Sequence, residues 1–301
     1  MSSRDFRGYG ENPPDPQWPG GARVAVSIVV NVEEGAELSL ADGDERNERT
    51  YEVTDEVIGV PDPCMATHFE YGTRAAYWRI VHLLDQFGVK CTLNACGRAI
   101  ERSPWLARDA VARGHEIMCH GWRWESHARM TESQERAIIA QASAAIEAAA
   151  GVPPVGWHTR SAASPNTRRL LVEHGSFIYD SDAYSDDLPF YVHVDGRPHL
   201  VVPYAFDTND MHFHQGQQRF ALADEFAQYV IDAAEWLWRE GGRNPKMMSI
   251  GLHLRMIGRP GRMKALELIL AFICERGGFW IARRDAIARH WLAVHPPIAA
   301  P

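Results

Sequence analysis

Residues Arg23 to Asn31 form an unbroken apolar run rich in β-branched side chains. The run is too short to span a bilayer, and without alternation it offers no face to water, so it reads as a central strand buried on both sides. Such strands belong to sheets covered by helices, and the rest of the chain supplies them. Helical patterns cover Ala75 to Phe87, Trp105 to Arg113, Ser133 to Ala150, Asn166 to a stop at Gly175, Phe220 to Glu240 and Gly261 to Glu275. Between them lie strand-length stretches at Val89 to Asn94, Glu116 to His120, Val155 to Thr159, Phe177 onward, Leu200 to Ala205, Lys246 to Leu254 and Phe279 to Ala282, with a last helix carrying Trp291. The alternation predicts an α/β protein with a single irregular (β/α) barrel over residues 23–301. Residues 1–22, rich in Pro, Gly and Asp, read as an arm without regular structure. Residues 36–68, acidic and polar, read as an irregular insertion able to cover a pocket.

The net charge of -8 disfavours nucleic acid and anionic membranes as partners. Five cysteines form an odd set without close paired spacing, which predicts reduced thiols in a cytoplasmic protein. The polar amino terminus lacks the pattern of a secretory leader. Ten tryptophans are many for 301 residues, and some are expected at a pocket or a subunit interface.

Polar residues recur where strands end: Glu33-Glu34, His120, Arg160, Asp207 with Asp210, and His253. A lone histidine at a strand end is more often a hydrogen-bonded structural residue, and a glutamate pair is more often a solvated loop. Five such ends in one chain weaken that explanation, because the carboxyl ends of parallel strands are where this architecture gathers its chemistry.

In order and spacing these residues resemble the polysaccharide deacetylase family. The resemblance implies an acid pair at Glu33-Glu34, one a general base and one a metal ligand. It also implies a ligand histidine at His120, an orienting arginine at Arg160 and a general-acid histidine at His253. The family's second ligand histidine is replaced by Trp124, and an indole cannot bind zinc. His127 is too far along a helix, roughly 10 Å from His120, and His115 faces the other side of its strand. Two ligands remain where catalytic zinc needs three, so no tight metal site is expected, only an adventitious divalent ion at Glu34 and His120.

Further motifs are similar to the allantoinase and cyclic imide hydrolase branch: Tyr71-Gly72-Thr73-Arg74, His120-Gly121-Trp122-Arg123-Trp124, Asp207-Thr208-Asn209-Asp210-Met211 and Gly251-Leu252-His253 through Pro260. That likeness implies a cytoplasmic homo-oligomer, dimer or tetramer, that opens a small cyclic amide. Glu33 would activate water, with Arg160 or Asp210 setting its orientation and pKa, and His253 would protonate the leaving nitrogen. His120 and backbone amides near Gly35 or Trp124 would hold the oxyanion. Tyr71, Trp122 and Trp124 would pack against the ring, with Glu34 and Asn209 as further contacts. The His158 to Ser164 loop departs from the branch's Tyr-Thr-Gly-Arg-type turn. It is one residue longer and lacks the glycine. Bulked by Ala162 and Ala163, it is expected to offer few polar partners, so succinimide or glutarimide should be opened at least as well as allantoin. Allantoinase proper, a secreted zinc-dependent polysaccharide or chitooligosaccharide deacetylase and a catalytically dead binding protein are the competing readings.

Overall fold

The computed structural model describes residues 4–49, 55–214 and 220–297. Its strands are β1 (Val24–Val32), β2 (Thr92–Ala95), β3 (Glu116–Cys119), β4 (Gly156–Trp157), β5 (Tyr179–Asp180), β6 (Phe190–Val194), β7 (Arg197–Val201), β8 (Lys246–His253) and β9 (Phe279–Ile281). They form one sheet in the order β6-β7-β5-β4-β3-β2-β1-β8, parallel except for the β6–β7 hairpin. β1 pairs with β8 from Val24–Lys246 to Asn31–His253. It also pairs with β9 at Val24 to Val26 and with β2 at Val29 to Val32. An isolated parallel bridge joins Asn209 to Gly251, beyond β7 and beside β8. The sheet thus curls into the expected irregular barrel.

The helices packed around it are α1 (Pro63–Tyr71), α2 (Tyr77–Gln86), α3 (Gly97–Arg102), α4 (Pro104–Ala112), α5 (Glu132–Ala150), α6 (Thr167–His174), α7 (Ala223–Glu240), α8 (Leu254–Ile257), α9 (Pro260–Arg276) and α10 (Arg284–Val294). None of the described helices is long and apolar enough to cross a membrane.

Side chains alternate between the two faces of a strand, and here the alternation separates two cores. Val24, Val26, Ile28, Val30 and Val32 pack outward under the helices. Ala25 and Val29 face inward with Met118, Tyr179, Leu200 and Met247, over Ile287 and Trp291 of α10. The arm is less frayed than its composition suggests. Trp18 is buried in this inner core, its indole N–H donating to the Lys246 carbonyl at 2.8 Å. Arg284 is fully buried and donates to Ser181, Ser249 and the Pro203 carbonyl, linking the ends of β5 and β7 to the middle of β8.

Four elements differ from expectation. Helix begins inside the predicted insertion: Asp62 caps α1 by accepting from Met65 N–H at 3.0 Å, with Pro63 at the first helical position. β4 and β5 are two residues each. The strand expected at Leu200 starts at Arg197 and pairs with β6 across an Asp195-Gly196 turn, a favoured hairpin signal.

Candidate active site

The same alternation decides which polar residues reach the barrel interior. On β1, Asn31 continues the inward row of Ala25 and Val29, so Glu33 points inward and Glu34 does not. His120 extends the inward row of Met118, and His253 that of Met247. These residues meet at the carboxyl end of the sheet in a cavity of about 260 Å³. Asn31, Glu33, His120, Trp124, His158, Arg160, Ser161, Tyr204, Phe206, Asn209, Met211 and His253 line it.

Glu33 is fully buried. Its Oε2 accepts from Arg255 Nη1 at 2.7 Å. Its Oε1 accepts no hydrogen bond from the described residues and faces His253 Nε2 at 3.5 Å and His120 Nε2 at 3.7 Å. Burial alone would favour protonation. The Arg255 charge, then His253 and His120, overcome it and hold the carboxyl well below the usual carboxylate range. Glu34, its outward neighbour, is pushed up to about 7 by burial, which the shared Arg255 only partly offsets and which the Glu33 charge reinforces. Its Oε2 accepts from Glu33 N–H at 3.0 Å, and it packs against Gly72, where a Cβ would lie 2.4 Å from Glu34 Oε1. Glu34 has the more base-like pKa, but Glu33 has the position.

Both histidines have a defined tautomer. His120 Nδ1 meets the His158 carbonyl, which can only accept, so Nδ1 carries the proton. His253 Nδ1 donates to Asp210 Oδ1 at 2.7 Å, while Asp210 Oδ2 accepts from the backbone N–H groups of His253 and Ile257 at 2.8 and 3.0 Å. Burial works against charging His253, but Glu33 and Asp210 outweigh it and raise its pKa.

Several assignments change. The guanidinium on Glu33 is Arg255, not Arg160. α8 starts directly after His253, and its first turn brings Arg255 under the end of β1, between the rings of Phe69 (4.5 Å) and Trp124 (5.3 Å). Asp210 orients His253 rather than Glu33. Arg160 instead lies 3.4 Å over the Trp124 ring and donates to the Trp124 carbonyl at 2.9 Å. Of the aromatic trio only Trp124 lines the cavity. Trp122 packs against Gly97, and Tyr71 lies under the Arg259 guanidinium at 3.7 Å. The backbone amides proposed for an oxyanion are spent: Gly35 N–H donates to Glu37 Oε2 at 2.5 Å, and Trp124 N–H to the Ala36 carbonyl at 3.2 Å. The described part of the 36–68 segment braces the Trp124 loop in this way and supplies none of the lining side chains. Residues 50–54 lie outside the described residues.

Asn31, His158, Tyr204 and Arg255 are site residues that sequence reasoning left without a role. Tyr204 is informative. Its hydroxyl oxygen accepts from Asn209 Nδ2 at 3.2 Å and Asn31 Nδ2 at 3.5 Å. No described residue accepts its proton, which is left to the cavity, and burial keeps that proton on by pushing the phenol up to about 12.

The donor set does not fit a catalytic zinc centre. His120 Nε2 faces Glu33, Glu34 turns toward Arg255 and Gly72, and position 124 is an indole covered by a guanidinium. His115, whose Nδ1 accepts from Cys91 N–H at 3.1 Å, and His127, whose Nδ1 bonds Glu135 at 3.1 Å, do not line the cavity, so neither substitutes.

A family model for polysaccharide deacetylase matches residues 58–175. The Schizosaccharomyces pombe protein named "Putative polysaccharide deacetylase" is 35% identical over 317 residues, covering 98% of each chain. The chain belongs to the polysaccharide deacetylase family. Two crystal structures of similar proteins match it over 99% of this chain and 100% of theirs. One is PuuE allantoinase, with a TM-score of 0.94 and 44% identity. The other is a "probable Polysaccharide deacetylase from Pseudomonas aeruginosa PAO1", with a TM-score of 0.94 and 45% identity. This chain is therefore a hydrolase of the deacetylase family, with an indole where the family's second ligand histidine was expected.

Proposed function

We propose that the chain hydrolyses the C–N bond of a small cyclic amide, a ureide or imide, as a cytoplasmic enzyme acting on a free small molecule. The observation that carries this is Glu33 Oε1, buried and unbonded between two imidazole Nε2 atoms in a cavity of about 260 Å³. That volume lies below the roughly 300–1,000 Å³ typical of drug-sized ligands and suits one ring with a short arm. The likeness to an allantoinase structure points the same way.

Water bound between Glu33 Oε1 and His120 Nε2 gives a proton to Glu33 as its oxygen bonds to the ring carbonyl carbon. In its neutral form His120 offers a lone pair at Nε2, so it seats the water rather than donating to the oxyanion. The tetrahedral oxyanion takes the Tyr204 hydroxyl proton as a hydrogen bond. His253 Nε2–H then protonates the ring nitrogen and the C–N bond breaks, leaving a carboxylic acid and an open amide or urea. Proton return from Glu33 to His253, across 3.5 Å, resets the site. A nitrogen flanked by a second carbonyl leaves readily because its charge is delocalised, and these groups suffice for it.

The loop expected to be poor in polar groups is not poor. Arg160 and Ser161 line the cavity, whereas Ala162 and Ala163 do not. The test is turnover of allantoin, hydantoin, succinimide and glutarimide, followed by the appearance of the ring-opened product. Ring opening without acetate release from N-acetylglucosamine oligomers is expected. Acetate release without ring opening contradicts the proposal.

A further inference from the structure

Ser161 has φ +48°, in the left-handed region, a conformation costly for a residue other than glycine. Its N–H donates to the Thr159 carbonyl at 2.5 Å, so the chain reverses tightly around Arg160. The reversal places the consecutive residues Arg160 and Ser161 both on the cavity wall.

A chain of hydrogen bonds fixes what the Ser161 hydroxyl can do. Asn31 Nδ2 donates to the Leu252 carbonyl at 3.0 Å, so Asn31 Oδ1 faces Asn94 and accepts from its Nδ2 at 2.8 Å. The same Asn94 amide group meets His158 Nδ1 at 3.4 Å. His158 Nδ1 is then the acceptor, and its Nε2–H donates to the Tyr184 hydroxyl at 3.1 Å. Tyr184 donates onward to Ser161 Oγ at 3.1 Å. From Asn94 onward each proton points toward Ser161, whose Oγ accepts from Tyr184 and has no acceptor for its own proton among the described residues. Arg160, the preceding residue, has one protein acceptor, the Trp124 carbonyl, and among the described residues no carboxylate within ion-pair distance. The other charges of the cavity are matched, Glu33 by Arg255 and Asp210 by His253. This wall therefore offers a guanidinium and a hydroxyl as donors, with a positive charge that no carboxylate of the described residues matches.

The ligand group it suits accepts hydrogen bonds and donates none. An ionised carboxylate does so, and a carboxamide or ureido arm, with its own N–H groups, does not. We infer that Arg160 and Ser161 form a subsite for a carboxylate carried on the substrate's ring, so that the substrate class is a carboxylate-bearing cyclic amide. This rests on the ring-opening activity proposed above and narrows it.

The test compares hydantoin-5-acetic acid with hydantoin-5-acetamide, which differ only in that group, at physiological ionic strength. The wild-type protein should favour the acid by at least ~10-fold in kcat/KM, the lower end for a hydrogen-bonded charged group. Arg160→Gln should bring the ratio to near one. Ser161→Gly, which relaxes the left-handed turn and removes the hydroxyl, should lower it by a smaller factor. A wild-type protein that treats the two alike, or a preference that survives Arg160→Gln, overturns the subsite. If neither ring opens, the activity reading fails on its own, and calorimetric binding of the same two compounds decides the subsite. Tighter binding of the acid, lost in Arg160→Gln, supports it, and equal binding overturns it.

Discussion

Replacing Arg255 with methionine removes the cation that holds Glu33 ionised while keeping an unbranched side chain between Phe69 and Trp124. The ion pair is fully buried, with 2.7 Å between Arg255 Nη1 and Glu33 Oε2. Charge centres about 4 Å apart attract by about 4 kcal/mol at an effective dielectric of 20, and one pH unit corresponds to about 1.4 kcal/mol. Loss of even a third of that attraction moves the Glu33 titration up by about a unit. The sign follows from the native pKa, which lies below the ordinary value. The pair's stabilisation is full above about 4.3, the pKa of a free glutamate, and is lost as pH falls through the native value.

In Arg255→Met, burial acts on Glu33 opposed only by His253 and His120. The acidic limb of the kcat/KM profile should rise by at least ~1 pH unit, since a protonated Glu33 cannot take a proton from water. Stability to urea at pH 7 should fall by about 3–5 kcal/mol, the usual effect of leaving one buried charge unpaired. The double variant Arg255→Met, Glu33→Gln should regain part of that loss, because the stranded charge is gone. Arg255→Lys should lie between wild type and Arg255→Met in both measurements. An acidic limb that stays in place in Arg255→Met refutes Arg255 as the group that keeps Glu33 ionised.

Tyr204→Phe, which deletes the one hydroxyl proton offered at the oxyanion position, should lower kcat by about 100-fold or more with little change in KM. A rise in KM at constant kcat assigns Tyr204 to ground-state binding instead. Prolonged dialysis against a chelator should leave ring-opening activity intact, and loss of activity that zinc restores would show that the donor set has been misread. Glu34, raised from 4.5 to about 7, destabilises the fold increasingly as pH rises between those values and fully above them. Glu34→Gln should therefore raise Tm at pH 8 more than at pH 5, and an equal effect at both pH values removes Glu34 as the titrating group.

The carboxyl-end residues were legible because polar side chains at the end of a buried strand conflict with burial unless they meet something. Glu33, His120 and His253 are all such cases, and all three line one cavity. Strand parity then separates Glu33 from Glu34, a distinction available from Val24 to Val32 alone. Arg255 was hidden for a different reason. Its place depends on α8 turning back beneath β1 immediately after His253, and a four-residue helix leaves little periodicity to read. The orienting role therefore fell to Arg160, the arginine that the family pattern supplied. Tyr204 escaped because it follows a short strand and owes its function to Asn209, in the irregular stretch after it, and to Asn31, distant in sequence. The loop at His158 was misjudged because a left-handed residue at Ser161 reverses the chain. That turn presents Arg160 and Ser161 to the cavity and turns Ala162 and Ala163 away. The Asp62-Pro63 helix start and the Asp195-Gly196 hairpin were both written in local turn chemistry, but inside stretches whose polarity suggested loop.

The central claim is that Glu33 is the base that activates water for ring opening, and the direct measurement is kcat of Glu33→Gln on the best cyclic amide. Glutamine keeps the shape of the side chain and can still accept from Arg255, so circular dichroism and Tm confirm that the variant is folded before activity is compared. The account predicts a fall in kcat of at least ~100-fold, the lower end of general-base effects. Near-normal turnover by a folded Glu33→Gln protein contradicts it.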